Sequence, residues 1–586
     1  MRLSTQFLFF RILILFYNSK TASSYMPSCS SKIYCQGNLL HTIQTMKPFK
    51  DSKHFVDMMM RYDEKEIHHN FKVFYKNTNN ITNHEVKEFV KKNFVMEDEL
   101  EIWHEGDYTD HPGLLDRINV RKYRQFVRSL LPIWIVLGRR IKKHILEENS
   151  RYSIIPVPNG FVIPGGRFKE FYYWDSYWII VGLLLSDMVK TVKGMLENFL
   201  WLVNKYGFVP NGGRIYYLNR SQPPLLLMMI NEYYKVTKDT AWLKKNLPIM
   251  EKELQFWLNK RTLTFHFNGT NFTMARYNVD SSTPRPESYF EDFHTCSAFK
   301  NLRVVEKCYR ELKSGAESGW DFSSRWMTNR RSLAELVVSR IIPVDLNSFL
   351  IESFRIISEF YKIVGDNDKQ KHWLSVFLSW RKNMHDLLYH KKDGIWYDFN
   401  TATLTHTRNF YPSNFAPLWV DLFPEREVSK PLGYKALKHL LKQNLLMFEG
   451  GIPTSLLETG EQWDLPNAWP PLQSIIILGL HRSGDSLARW YARRLAQRWI
   501  DVNWAIYDNS MVMYEKYNAE FPGEAGGGGE YDVQSGFGWS NGVIFELIEE
   551  FFTDRRGNFR SSCGRFSQIY SIVVFVLLRI VNVRLG

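Results

Sequence analysis

The chain has 586 residues, 45% of them hydrophobic and 15% aromatic, ample material for one large core. Its formal net charge is +14, yet Lys and Arg are scattered, with no basic run and no binding motif, so nucleic-acid recognition is set aside in favour of a solvated basic surface. No Pro/Ser linker or low-complexity break divides the middle of the chain, so its length does not multiply domains.

Residues 1–23 read as a secretory signal. Arg2 is the charge, Phe7 to Phe16 the apolar stretch (interrupted by Arg11), and Thr21-Ala22-Ser23 the small residues before cleavage. Cys29 and Cys35 stand close enough to close a small loop, as do Cys296 and Cys308, and Cys563 is left over. Two bridges suit an exported chain, the alternative being that all thiols are reduced; no spacing matches a zinc site. Asn80-Ile81-Thr82, Asn268-Gly269-Thr270 and Asn271-Phe272-Thr273 are glycan acceptors in polar surroundings. Asn219-Arg220-Ser221 also fits the pattern but is expected to line a site and stay bare.

The tract Pro164-Gly165-Gly166-Arg167-Phe168-Lys169-Glu170-Phe171-Tyr172-Tyr173-Trp174-Asp175-Ser176-Tyr177 joins one arginine, two carboxylates and six aromatic rings. Charged groups bind sugar hydroxyls by charge-assisted hydrogen bonds, and rings cover the apolar faces of a pyranose. Beyond it the chain reads as helix after helix. Leu225 to Val236 and Trp242 to Leu258 come first. Leu346, Leu350, Phe354, Ile357, Tyr361 and Val364 recur at helical steps until Gly365-Asp366 breaks them. Trp373 to Leu387, Tyr434 to Leu441, Leu472 to Leu480 and Ser486 to Ile500 follow suit. Strand-like alternation is confined to Leu263, Phe265 and Phe267 and to Ile395–Leu404, two candidate hairpins. Long aromatic loops between helices suggest paired helices in a ring, with the loops meeting over a cavity at one end.

Those loops share a vocabulary. Val209-Pro210-Asn211-Gly212-Gly213-Arg214 runs into Asn219-Arg220-Ser221-Gln222; then come Pro284-Arg285-Pro286-Glu287, Glu317-Ser318-Gly319-Trp320-Asp321-Phe322, Gln462 to Pro471, and Tyr514-Glu515-Lys516-Tyr517 before Gly526–Gly529 and Glu530-Tyr531. Each sets a carboxylate, arginine or amide beside rings, which points to a sugar-cleaving pocket. Cleaving a glycosidic bond takes one protonated and one ionised carboxyl group. Asp321, between Trp320 and Phe322, suits the acid, and Glu515, beside Lys516, suits the base. The residues alone do not rank these two above Glu170, Asp175, Glu287, Glu317, Asp464 or Glu530. The four glycines lack the Lys-Ser/Thr ending of a phosphate loop and read better as a mobile lid.

Two of these tracts resemble the signatures of the trehalase family. Pro164 to Tyr177 matches Pro-Gly-Gly-Arg-Phe-x-Glu-x-Tyr-x-Trp-Asp-x-Tyr, and Gln462 to Pro471 matches Gln-Trp-Asp-x-Pro-x-small-Trp-x-Pro. Ile33 to Gly37 with Leu39-Leu40-His41 look like the secreted animal members. The resemblance covers roughly residues 35 to 550. It implies an all-α (α/α)6 toroid with the active site on long loops at one end, an inverting hydrolase of α,α-trehalose, and no cofactor, metal or nucleic-acid partner. It implies Asp321 as general acid and Glu515 as general base, with Arg167, Arg220 and Arg285 holding the sugar. Trp174, Asp175, Asn211, Ser221, Gln222, Pro286, Glu287, Gly319 and Glu530 look like its substrate contacts. The alternatives are a catalytically inactive trehalose-binding protein and another (α/α)6 glycosidase.

The expected layout is the signal over 1–23, a catalytic domain over 24–555 and a tail over 556–586, in the secretory pathway and then outside the cell or on its surface. The tail's apolar run, Ile569 to Leu578, is shorter than the roughly 20 residues of a spanning helix. A lipid-anchor signal around Ser561–Gly564, an irregular membrane tail and a buried terminal segment all stay open, with membrane attachment preferred.

Overall fold

The structure is a computed structural model and describes residues 29–77, 81–329 and 332–554. Twelve helices of the described chain alternate between an outer and an inner ring. They are α1 (Arg121–Leu130), α2 (Asp175–Leu185), α3 (Val189–Tyr206), α4 (Leu226–Thr237), α5 (Thr240–Lys260), α6 (Val344–Val364), α7 (Asn367–Leu388), α8 (Ala416–Trp419), α9 (Arg426–Lys442), α10 (Pro470–Arg482), α11 (Ser486–Ser510) and α12 (Gly538–Phe551). The odd-numbered helices bury one stripe: α1 hides Tyr123, Phe126, Val127 and Leu130, and α7 hides Trp373, Phe377, Trp380 and Met384. Among the even-numbered ones α2, α10 and α12 are apolar nearly all round, and such helices must sit inside. Packing closes the inner ring: α2 on α4, α4 on α6, α6 on α8, α8 on α10, α10 on α12, and α12 back on α2. This is the (α/α)6 toroid.

Local signals set the helix ends. Gly365, at φ +83, stops α6, and the Asp366 carboxylate accepts from Lys369 N at 3.0 Å to start α7. Asp239 caps α5 and Asp485 caps α11 in the same way. Helix α9 begins at Arg426, eight residues before the sequence reading placed it, and runs through Pro431. Burial of Ser429 and Leu432 holds those extra turns although the proline removes one backbone bond. The Leu263–Phe267 alternation is one strand of a hairpin, Thr262–Phe267 with Thr270–Ala275, turning at Asn268 and Gly269 with positive φ. Ile395–Leu404 holds two short strands in two different ladders: Ile395–Trp396 pairs with Tyr389–His390, and Phe399–Asn400 with Thr405–His406 and Ile341–Ile342.

A feature without a sequence signal is a second apolar cluster. The helices Asn38–Thr45, Ser52–Val56, Glu64–Asn77 and Asn83–Asn93 pool Leu40, Phe55, Ile67, Val86 and Phe89, and this cluster reaches Tyr172, Tyr217 and Tyr289 on the loops of the toroid. Disulfides join Cys29 to Cys35 and Cys296 to Cys308. Cys563, Asn80, the 1–23 segment and the 556–586 tail lie outside the described residues.

Candidate active site

Connections from inner to outer helices are short: 186–188, 238–239, 365–366, 420–425 and 483–485. Connections from outer to inner helices are long: 131–174, 207–225, 261–343, 389–415, 443–469 and 511–537. Alternation thus gathers every long loop at one end of the ring, where the inner helices begin. Asp175 opens α2, Trp469 stands just before α10, and Trp539 is the second residue of α12.

Indoles line this end. Trp463 stacks on Trp469 at 3.8 Å and on Trp320 at 5.3 Å, and it lies 5.7 Å from Trp174. Against them stands Asp321, its side chain 34% exposed to the cleft. Burial against the rings pushes its carboxyl up to about 7, although Arg285 Nη1, at 3.7 Å, pulls it down. Glu515 is fully buried and also raised by burial. Lys516, the Tyr531 hydroxyl donating to Oε1 at 2.8 Å, the Gln534 N–H donating to Oε2 at 3.3 Å, and Arg167 oppose that rise. Asp175 sits in the field of both carboxylates; burial pushes it up to about 8, and Glu515 and Asp321 add to the rise. The two catalytic candidates, remote in sequence, therefore lie close enough to act on one third carboxyl group.

The three arginines are each held by carboxylates. Arg167 donates from Nε and Nη2 to Asp51 at 2.9 and 2.8 Å and lies 4.7 Å over the Tyr531 ring. Arg220 donates to Glu287 at 2.6 Å and to Asn211 Oδ1 at 3.0 Å. Arg285 donates to Asp292 at 2.7 Å and to Glu530 at 2.8 Å. Such pairing fixes a planar donor fork in place. Arg220 Nη1 and Glu287 Oε2 are buried with no hydrogen-bond partner of their own, a donor and an acceptor left over beside the cleft.

The other candidates divide between cleft and support. Trp174 stands against Gly319, and its backbone N–H donates to Gln222 Oε1 at 3.2 Å. The Ser221 hydroxyl donates to Val209 O at 2.7 Å, and the Pro286 carbonyl accepts from Gln44 at 2.9 Å; both brace the loops. Glu530 joins Arg285 to Ser288. Glu317 and Asp464 turn away, to Arg261 and to the hydroxyls of Ser324 and Thr459. The four-glycine segment lies on the site, held by Gly529 N–H donating to Gly460 O and Gly527 N–H to Asn467. Sequence reasoning gave no role to Asp51, Gln462 or Tyr531. The last two stand in tracts it had singled out; Asp51, 116 residues from its partner Arg167, gave no signal.

Two carboxyl groups in unlike surroundings, beside clamped arginines and stacked indoles at the loop end of an (α/α)6 ring, define a glycoside hydrolase. The trehalase family profile matches residues 47–552. A trehalase of Tenebrio molitor is 50% identical over 533 residues, covering 90% of this chain and 96% of that one. A human trehalase is 43% identical over 531 residues, covering 90% of each. The neutral trehalase Nth1 from Saccharomyces cerevisiae superposes with a TM-score of 0.53 at 25% identity, over 67% of this chain and 73% of that one. The chain belongs to the trehalase family.

Proposed function

We propose that the protein hydrolyses α,α-trehalose to two glucose molecules by inversion. The observation that carries this is a pair of carboxyl groups, Asp321 and Glu515, that both act on Asp175, with clamped arginines and stacked indoles around them. Asp321, held near neutrality by burial, protonates the bridging oxygen as the C1–O bond breaks. Glu515 takes a proton from water, and that water adds to C1 from the opposite face. Glu515 acts as the ionised partner because Lys516, Tyr531, Gln534 and Arg167 all favour its charged form. Inversion needs carboxyl groups about 6.5–9.5 Å apart, with room for the water. Arg167, Arg220 and Arg285 bind the sugar hydroxyls, with Asp175, Gln222, Glu287 and Glu530 as further contacts. Trp174 and Gly319 shape the wall.

Proton NMR during early turnover tests the stereochemistry: one α- and one β-glucose are expected, and two α-anomers overturn inversion. Maltose and sucrose should not be cleaved. Asp321→Asn and Glu515→Gln should each lower kcat by about 10²–10⁴-fold or more with an unchanged circular dichroism spectrum. Near-normal turnover in either variant removes that residue from its role.

Export belongs to the same proposal. The disulfides Cys29–Cys35 and Cys296–Cys308 suit an oxidising compartment. Asn268 and Asn271 are exposed glycan acceptors on the hairpin, whereas the Asn219 amide oxygen is buried. Among the described residues no helix is long and apolar enough to cross a membrane; attachment, if present, falls to the tail. Mass spectrometry of the mature N- and C-terminal peptides decides between a cleaved, an anchored and an intact chain.

A further inference from the structure

Lys516 is fully buried, and the two groups its ammonium donates to are neutral: Gln462 Oε1 at 3.0 Å and the Gly528 carbonyl at 3.2 Å. The Trp469 and Tyr531 rings, 5.2 and 5.8 Å from the ammonium, offset part of its burial, but a buried ammonium without a direct anion is costly and its placement calls for a reason. Gln462 hands the connection on, its Nε2 donating to the Asp321 carbonyl at 2.6 Å. Two side chains in series thus link the backbone next to Glu515 to the backbone of Asp321.

The same pair seats the glycine-rich loop. A Cβ on Gly526 would stand 2.9 Å from Lys516 Cγ, and one on Gly529 would stand 2.9 Å from Gln462 Cβ. Gly528 has φ +72 and lies against Gly460 O. The glycines therefore let the loop lie flat on the Lys516–Gln462 pair. Beyond them the loop delivers Glu530 to Arg285 and Tyr531 to Glu515.

We propose that Lys516 is a positioning residue that ties the base, the acid and the glycine-rich loop into one frame through Gln462 and Gly528. The proposal rests on the reading of Asp321 and Glu515 as acid and base. The frame matters because a displacement of about 1 Å at reacting groups can lower turnover about 10²-fold. The ammonium has a second effect, since among the charges around Glu515 it favours the ionised carboxylate most. Asp321, Asp175 and Tyr531 face the same space, and Arg167 adds a positive charge near Glu515.

The test uses the full chain with Lys516→Met, Lys516→Arg, Gln462→Met and the Lys516→Met/Gln462→Met double variant, assayed on trehalose across pH 4–9. Lys516→Met should lower kcat about 100-fold and move the acid limb of kcat/KM to higher pH, because Glu515 then loses a stabilising cation. Gln462→Met should lower kcat comparably and leave that limb in place, because the charge remains. The double variant should be no slower than Lys516→Met, since the strut is lost once. Lys516→Arg should keep the limb at its wild-type pH, and with Gln462→Met it carries the test if Lys516→Met does not fold. A wild-type kcat in Gln462→Met, an unmoved acid limb in Lys516→Met, or multiplicative losses in the double variant would overturn the frame. Glu515→Gln, run alongside, separates the cases: full activity there overturns the acid–base reading and this proposal together, whereas a dead Glu515→Gln beside an unaffected Gln462→Met removes the frame alone.

Discussion

Gly319 has φ +74, and a Cβ built on it would stand 2.8 Å from the Trp174 indole. Any L side chain in this region costs about 1–2 kcal/mol. Trp174 would also be pushed from a wall two residues from Asp321. Gly319→Ala should therefore lower stability by about 1–2 kcal/mol in urea unfolding and lower kcat/KM by more than the stability loss explains. An alanine variant with wild-type kcat/KM would detach this contact from catalysis. The carboxylates show where residue-level reading stopped. Loop composition left Glu170, Glu317 and Asp464 level with Asp321 and Glu515. What separates them is partner choice, which no local pattern encodes: Glu170 meets Lys53 and Tyr172, Glu317 meets Arg261, and Asp464 meets Ser324, Ser455 and Thr459. All three are consumed by the scaffold. Asp321 faces open cleft.

The first and last helices of the inner ring close it at a glycine crossing. A Cβ on Gly542 of α12 would fall 2.0 Å from the Trp178 carbonyl of α2, and one on Gly182 of α2 would fall 2.9 Å from the Gly542 Cα. The two backbones touch there, and the ring closes with no side chain between them. Gly542→Ala must separate them, so we expect a loss of about 1–3 kcal/mol, as for other overpacked cores. Thermal unfolding monitored by circular dichroism would register it, and an unchanged midpoint would mean that the crossing can breathe. These same helices were hard to read from sequence. Helices α6, α7 and α11 carry a clear 3.6-residue period with capping residues, because one face meets solvent or a looser layer. Helices α2 and α12 are apolar on every side, so they offer no contrast for a period to show. The inner ring was thus inferred from helix pairing, and its closure needed long-range contacts.

Across the molecule, several acids are buried with their protons favoured. Burial pushes Glu99, Asp321 and Glu546 up to about 7, and Asp175 and Glu253 up to about 8. They are spread from the loop end of the ring, at Asp175, to α12, where Glu546 accepts from Ser474 Oγ at 2.7 Å. In the unfolded chain these groups titrate near 4, about their ordinary values. Between about pH 4 and 8 each of these five carboxyl groups therefore holds more proton in the folded chain than in the unfolded one, and the stability it contributes falls as pH rises. Glu287 and Asp57, held below their ordinary values despite burial by Arg220 and Arg214, act the other way on the acid side of this window, and His439, pushed down to about 4 by burial, and Lys313, pushed down to about 7, offset part of the fall inside it. Urea midpoints should accordingly be higher at pH 5 than at pH 8. Glu546→Gln keeps a neutral acceptor for Ser474 and removes one titrating group, so it should flatten the slope between pH 5 and 7 without touching the catalytic cleft. A slope unchanged in Glu546→Gln would show that this carboxyl group is ionised in the fold and that Arg482, which opposes the effect of burial on Glu546, outweighs it.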